Sequence, residues 1–340
     1  MGCMASSLRS TLAMVLHAPM PIEQHPLHSE EILLPSLRQG QVRLRVRACG
    51  VCRTDLHIVE GDLPARHAAI VPGHQIVGDV IESADPLLAI GSRVGVSWVG
   101  GVDGTCSYCS SGAENLCDAP TFTGYDVDGG YAAVCDARAD FASALPPALE
   151  DLAAAPLLCA GIIGFRALRV AGVLPHERVG LFGFGASAHL ALRVLQHWNC
   201  DVYVSTRGLS HQRFARELGA TWVGDAAEVP PRALHRAITF APSGDVVLAA
   251  LSSLRKGGVV AINAIHLDRI PQFDHDRLLW GERQIRSVTN MTRSDARDFL
   301  QLAAKTELRP AVQTFMLAQA NEALIAVKGD EINGAAVLLP

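Results

Sequence analysis

An α/β chain in two parts is predicted: a first half of short strands, then a doubly wound parallel sheet. Two observations carry this. In residues 41–48 the apolar Val42, Leu44 and Val46 alternate with Arg43, Arg45 and Arg47, the period-two pattern of a half-buried strand. From about Asp151 apolar runs of strand length alternate instead with segments of helical period, the pattern of a parallel sheet with crossover helices.

In the first half, residues 76–81 and 93–98 are further strands, set off by Gly and Pro. In the second half, residues 151–158 and 164–171 are helices and Arg178–Phe182 is a buried strand. Ala186–His197 then forms a helix, Asp201–Ser205 a strand and residues 210–218 a helix, and segments 237–240, 246–253 and 258–263 continue the alternation. The rhythm stops at about Asn290, and neither an internal repeat nor a low-complexity segment is present.

At 340 residues, with 49% hydrophobic and 19% charged side chains, the chain can build two globular cores. A formal charge of −5 offers no basic surface for nucleic acid. No apolar run is expected to be long enough to cross a bilayer, and no membrane partner is expected. Nine cysteines is an odd count, and their close spacing suits metal thiolates in a reducing, cytoplasmic setting better than a disulfide framework. The start, Met1-Gly2-Cys3-Met4-Ala5-Ser6, matches the short pattern for N-myristoylation, from which no membrane attachment is inferred.

Three separated stretches carry metal-ligating side chains. They are Cys49-Gly50-Val51-Cys52-Arg53-Thr54-Asp55-Leu56-His57, Pro72-Gly73-His74-Gln75 and Pro156-Leu157-Leu158-Cys159-Ala160-Gly161. Two thiolates and an imidazole form a zinc ligand set, and three protein ligands instead of four suit a catalytic site. Any one of these residues alone is more often a core residue than a ligand. In Gly180-Leu181-Phe182-Gly183-Phe184-Gly185-Ala186-Ser187-Ala188 a strand runs into a G-x-G-x-x-A turn and a helix, a dinucleotide fingerprint. Gly183 permits the turn, Gly185 lets the backbone approach a pyrophosphate, and Ala188 serves helix–strand packing.

From about Ala13 to Leu339 these motifs resemble the zinc-dependent alcohol dehydrogenases of the medium-chain dehydrogenase/reductase superfamily. The resemblance implies a GroES-like, mainly-β catalytic domain over residues 1–155, completed by 290–340, and a Rossmann domain over 156–289. It assigns Cys52, His74 and Cys159, and not Cys49, to a catalytic zinc. Thr54 would hold the substrate oxygen, His57 would release the proton, and Asp55 would orient the His74 ring. Gln75 stands where the family carries glutamate. The four-cysteine pattern of a structural zinc is matched by Cys106, Cys109 and Cys117, with Asp103 in place of the first cysteine; Asp103-Gly104 is also a turn signal.

Aligned with the family, Ser205 and Thr206 end the second strand of the cofactor domain, and Thr206 replaces the acid of NAD-using relatives. Arg207 follows and suits a 2′-phosphate, so NADP(H) is expected over NAD(H). The implied substrate is a small alcohol or aldehyde, handled by a homo-oligomer (dimer or tetramer). Trp98, Leu116 and Phe122 are either pocket lining or core. A polyol or sugar dehydrogenase is the alternative within the zinc branch. A zinc-independent quinone or enoyl reductase would lack the three ligands, and a non-catalytic zinc-binding relative would bind no nicotinamide.

Overall fold

The computed structural model of the chain describes residues 9–225, 228–264, 267–332 and 334–340. The N-terminal myristoylation pattern lies outside the described residues. The chain divides into a unit that runs to Cys159 and resumes at Thr292–Pro340, and a second unit, Ala160–Met291.

In the first unit the strand Gln41–Val51 is central and runs three residues beyond the predicted end. Its extension is held on both sides: Gly50 pairs with Gln75 and Val51 with Ala336. The sheet order is Val312–Met316, Ala335–Leu339, Gln41–Val51, Gln75–Ser83, Arg93–Val96, Ala142–Ala144, and Val134–Arg138 also pairs with Gln41–Val51. Val42, Leu44, Ile76, Val80 and Val94 bury the apolar face. Arg43 breaks the expected alternation. It is 2% exposed, and its guanidinium donates to both carboxylate oxygens of Asp136 (2.8 and 3.0 Å) and to Glu82 (3.1 Å). Such pairing is what a buried charge requires. Ser10–Leu16 and Leu27–Leu33 form an additional antiparallel pair.

Among the described residues the second unit's six strands are all parallel, in the order Trp222–Gly224, Asp201–Ser205, Arg178–Phe182, Leu234–Thr239, Leu254–Ile262, Gln284–Ser287. In chain order this is 3-2-1-4-5-6, the doubly wound arrangement whose ligand crevice opens at the carboxyl ends of the strands. Arg178–Phe182, Ala186–His197 and Asp201–Ser205 have the predicted bounds. Strands covered on both faces are continuously apolar and therefore easy to find; Val179, Leu181, Val202 and Val204 are all buried.

One expectation is corrected. The helical run Asp151–Ala171, 21 residues long, is apolar enough to cross a bilayer by length and composition. Its physical role is different, because 67% of its apolar window is buried inside the structure, as in a core helix. The run is also irregular: Pro156 ends its first α-helical segment and a π-helical turn, Leu157–Gly161, follows. Proline removes one i→i−4 bond and clashes with the preceding turn, which accounts for the widening there.

Candidate active site

Cys52 follows the central strand in extended conformation (φ −139°) and caps the helix Arg53–Glu60. Its Sγ accepts from the Thr54 N–H (3.3 Å), while Asp55 Oδ2 accepts from the Cys52 N–H (2.9 Å). This reciprocal cap fixes thiol and carboxylate relative to one another. The other Asp55 oxygen, Oδ1, lies 2.9 Å from His74 Nδ1, with both side chains fully buried. His74 Nε2 is thereby aimed at Cys52 Sγ, 3.4 Å away. Cys159 comes from the π-helical turn, and the donor atoms of Cys52, His74 and Cys159 lie within 4.8 Å of one another. Tetrahedral zinc, with Zn–S near 2.3 Å, separates its donors by about 3.5–4 Å. The three residues therefore fit the ion in both type and spacing.

Cys52 is held well below the ordinary thiol range, first by a hydrogen bond from Cys159 and then, against burial, by the charge of His74. Burial disfavours the His74 imidazolium, but the charges of Asp55 and Cys52 outweigh it and raise the ring well above its usual value. Burial pushes the Asp55 carboxyl up, although His74 opposes this. Cys49 stands apart from the cluster. It is fully buried, it donates to the Gly50 carbonyl (3.7 Å), and burial drives its thiol well up.

Thr54 is buried in the first turn of the helix. One turn later His57 is partly exposed, its Nδ1 2.7 Å from Asp62 Oδ2. Gln75 is buried against Gly50, where a Cβ would come within 3.0 Å of its side chain. Trp98 stacks on Phe122 (centroids 4.7 Å apart) and meets the His74 ring edge-on at 5.2 Å. Tyr125, which sequence reasoning did not single out, continues this stack at 6.0 Å from Trp98. Leu116 is 43% exposed and is not core.

The second cluster lies near the surface of the same unit. Asp103, Cys106, Cys109 and Cys117 bring their donor atoms within 4.8 Å of one another. Asp103 Oδ1 accepts from the N–H groups of Thr105 (2.8 Å) and Cys106 (3.0 Å). The turn and donor readings are thus compatible in one side chain, and the backbone bonds hold its carboxyl well below the usual range. Cys117 Sγ accepts from the N–H groups of Asp103 and Ala119, both at 3.4 Å. Desolvation pushes Cys109 up to about 12, whereas backbone hydrogen bonds lower Cys106.

In the second unit Gly183 has φ +90°, and a Cβ there would come 2.9 Å from the Ala241 nitrogen, so only glycine fits. Gly185 caps the helix Ala186–His197, and a Cβ on it would meet nothing within 4 Å. That combination leaves the helix N-terminus approachable by a phosphate. Ala188 is fully buried. Ser205 donates to the Asp225 carbonyl (3.1 Å), and the Thr206 backbone is engaged by Gly224 and Gln212. Arg207 is exposed and has no partner among the described residues.

Residues 38–147 match the family described as the alcohol dehydrogenase GroES-like domain. A probable alcohol dehydrogenase, AdhA, of Mycobacterium tuberculosis (strain CDC 1551 / Oshkosh) is 44% identical over 328 residues, 94% of this chain and 95% of that one. The crystal structure of AibC matches with a TM-score of 0.90 at 24% identity, covering 100% of this chain and 99% of that one. A cobalt- and zinc-bound thermostable alcohol dehydrogenase from Pyrobaculum aerophilum matches with a TM-score of 0.86 at 22% identity, covering 97% and 100%. A GroES-like domain with a doubly wound parallel sheet defines the medium-chain dehydrogenase/reductase class. Within that superfamily the chain belongs to the alcohol dehydrogenases.

Proposed function

We propose that the chain is a zinc-dependent oxidoreductase that interconverts alcohols and aldehydes with a nicotinamide cofactor, NADP(H) in preference to NAD(H). The observation that carries this reading is the three-donor cluster of Cys52, His74 and Cys159, backed by the buried Asp55. Zinc held there would supply Lewis acidity toward an alcohol or carbonyl oxygen, and the nicotinamide would supply or accept hydride. Thr54 would hold the substrate oxygen and receive its proton. His57, partly exposed, would pass that proton to solvent, a task suited to an imidazole, whose ring nitrogens both accept and release protons. Asp55 fixes the tautomer and direction of His74.

Gln75 leaves the site without the carboxylate expected there, so a bound metal would remain the stronger electrophile. The aromatic stack of Trp98 and Phe122 beside His74 supports an apolar substrate over a polyol. Asp103, Cys106, Cys109 and Cys117 would hold a second zinc with four ligands, a structural one. Gly183 and Gly185 would seat the pyrophosphate while Ala188 packs the helix on its strand, with Ser205, Thr206 and Arg207 at the adenosine ribose. Five of the cysteines would serve the two sites as thiolates, a use that supports a reducing, cytoplasmic setting.

The test is metal analysis together with a screen of alcohols and aldehydes, read by the absorbance of the reduced nicotinamide. Bound zinc and turnover of primary alcohols or aldehydes are expected; bound cofactor without turnover would sink the enzymatic reading. A charge-assisted bond from Arg207 to a 2′-phosphate contributes roughly 1.5–3 kcal/mol, or about one to two decades. Arg207→Ala is expected to lower efficiency with NADPH by that factor and to spare NADH. Equal or better wild-type efficiency with NADH would overturn the cofactor assignment.

A further inference from the structure

Tyr131 is the bulkiest fully buried side chain among the described residues. Its ring is pressed onto Gly73, the residue before His74: a Cβ on Gly73 would lie 2.4 Å from Tyr131 Cδ1 and 2.8 Å from Cε1. The backbone is clamped at the same place, with Tyr131 N–H donating to the Pro72 carbonyl (3.0 Å) and Gly130 N–H to that of Gly73 (2.8 Å). The phenol oxygen is buried and has no hydrogen-bond partner, and Asp55 is the carboxylate close enough to act on it. Burial first, then the charge of Asp55 ahead of those of Cys49 and Cys52, hold the phenol proton well above its usual range.

A buried hydroxyl left unpaired is destabilising, and phenylalanine would fill the same space without that penalty. Asp55 directs one oxygen to His74 and the other to the Cys52 N–H, and a carboxylate has lone pairs to spare for one more donor. We propose that the Tyr131 hydroxyl donates to Asp55 and that Tyr131 is a positioning residue, holding the carboxylate that in turn holds His74. This rests on the reading of Cys52, His74 and Cys159 as a zinc site.

The test compares zinc-loaded wild type with Tyr131→Phe. Loss of a partner behind a metal ligand commonly weakens metal binding about 10–100-fold. Tyr131 stands one partner further back, so Tyr131→Phe is expected to release the activity-linked zinc to a chelator several-fold, up to about tenfold, more readily, and to shift the visible spectrum of the cobalt-substituted site. In an Asp55→Asn background the same substitution is expected to add little, because its effect runs through the carboxylate. A Tyr131→Phe protein with higher thermal stability, unchanged zinc release and an unchanged cobalt spectrum would show an orphaned hydroxyl and overturn the proposal. A wild type that holds no metal at Cys52, His74 and Cys159 would overturn the zinc reading itself, and this inference with it.

Discussion

The two donor clusters of the first unit share the cysteine thiol and differ in how they hold it. Cys52, His74 and Cys159 number three, and the imidazole among them is fully buried against a buried carboxylate. Asp103, Cys106, Cys109 and Cys117 number four and lie near the surface, steadied by backbone N–H groups. Orientation in the first cluster comes from side chains that packing cannot let move. Orientation in the second comes from a tight local loop. A metal in the first would be left with a position for chemistry, whereas in the second the protein would saturate it.

His74→Ala is the sharpest way to break this contrast. It is expected to remove about one zinc per chain and to reduce turnover to background, by the logic of an open catalytic site; metal analysis and steady-state kinetics read both. Undiminished activity would place the chemistry elsewhere. Thr54→Ala leaves all seven donors in place and is expected to lower kcat about 10²–10⁴-fold, the usual contribution of a positioned proton-transfer group. Zinc content unchanged beside that loss separates holding the metal from using it.

Cys106→Ser probes the other side. Its expected effect is a fall in Tm of several degrees with kcat per folded molecule nearly unchanged. A collapse of kcat without loss of stability would mean that the second cluster is not structural. The smallest effect belongs to Asp103→Cys, which completes a four-thiolate set. Slower zinc release and a slightly higher Tm are expected, and a lower Tm would show that the Asp103 turn matters more than its donor atom.

Much of this was legible in the residues, and unevenly so. Arg178–Phe182 and Asp201–Ser205 were bounded by apolar runs meeting glycine or polar residues, so their ends agree. Leu27–Leu33 was not legible, because Glu30 and Glu31 interrupt its apolar pattern in sequence. The helix Arg53–Glu60 was hidden inside a motif read for its ligands. Arg43 looked like a solvent-facing residue because alternation cannot reveal that Asp136, far along the chain, closes over it. The spacing of Asp103, Cys106, Cys109 and Cys117 was local and visible. The approach of Asp55 to His74 depends on a strand register, and that of Tyr131 on the packing of its ring against Gly73; for Tyr131 no signal in the sequence existed.

The π-helical turn that presents Cys159 has a consequence for how this chain can vary over evolutionary time. A π turn is an α-helix carrying one extra residue, and each helical residue advances the direction of its side chain by about 100°. Deleting one residue from Leu157–Gly161 would restore regular pitch and swing the thiol to another face of the helix. Swapping one apolar residue there for another would alter only packing. Natural variants should therefore drift in spelling across this segment while keeping its length fixed, and a gap here in a related chain would mark a descendant that has abandoned the third donor.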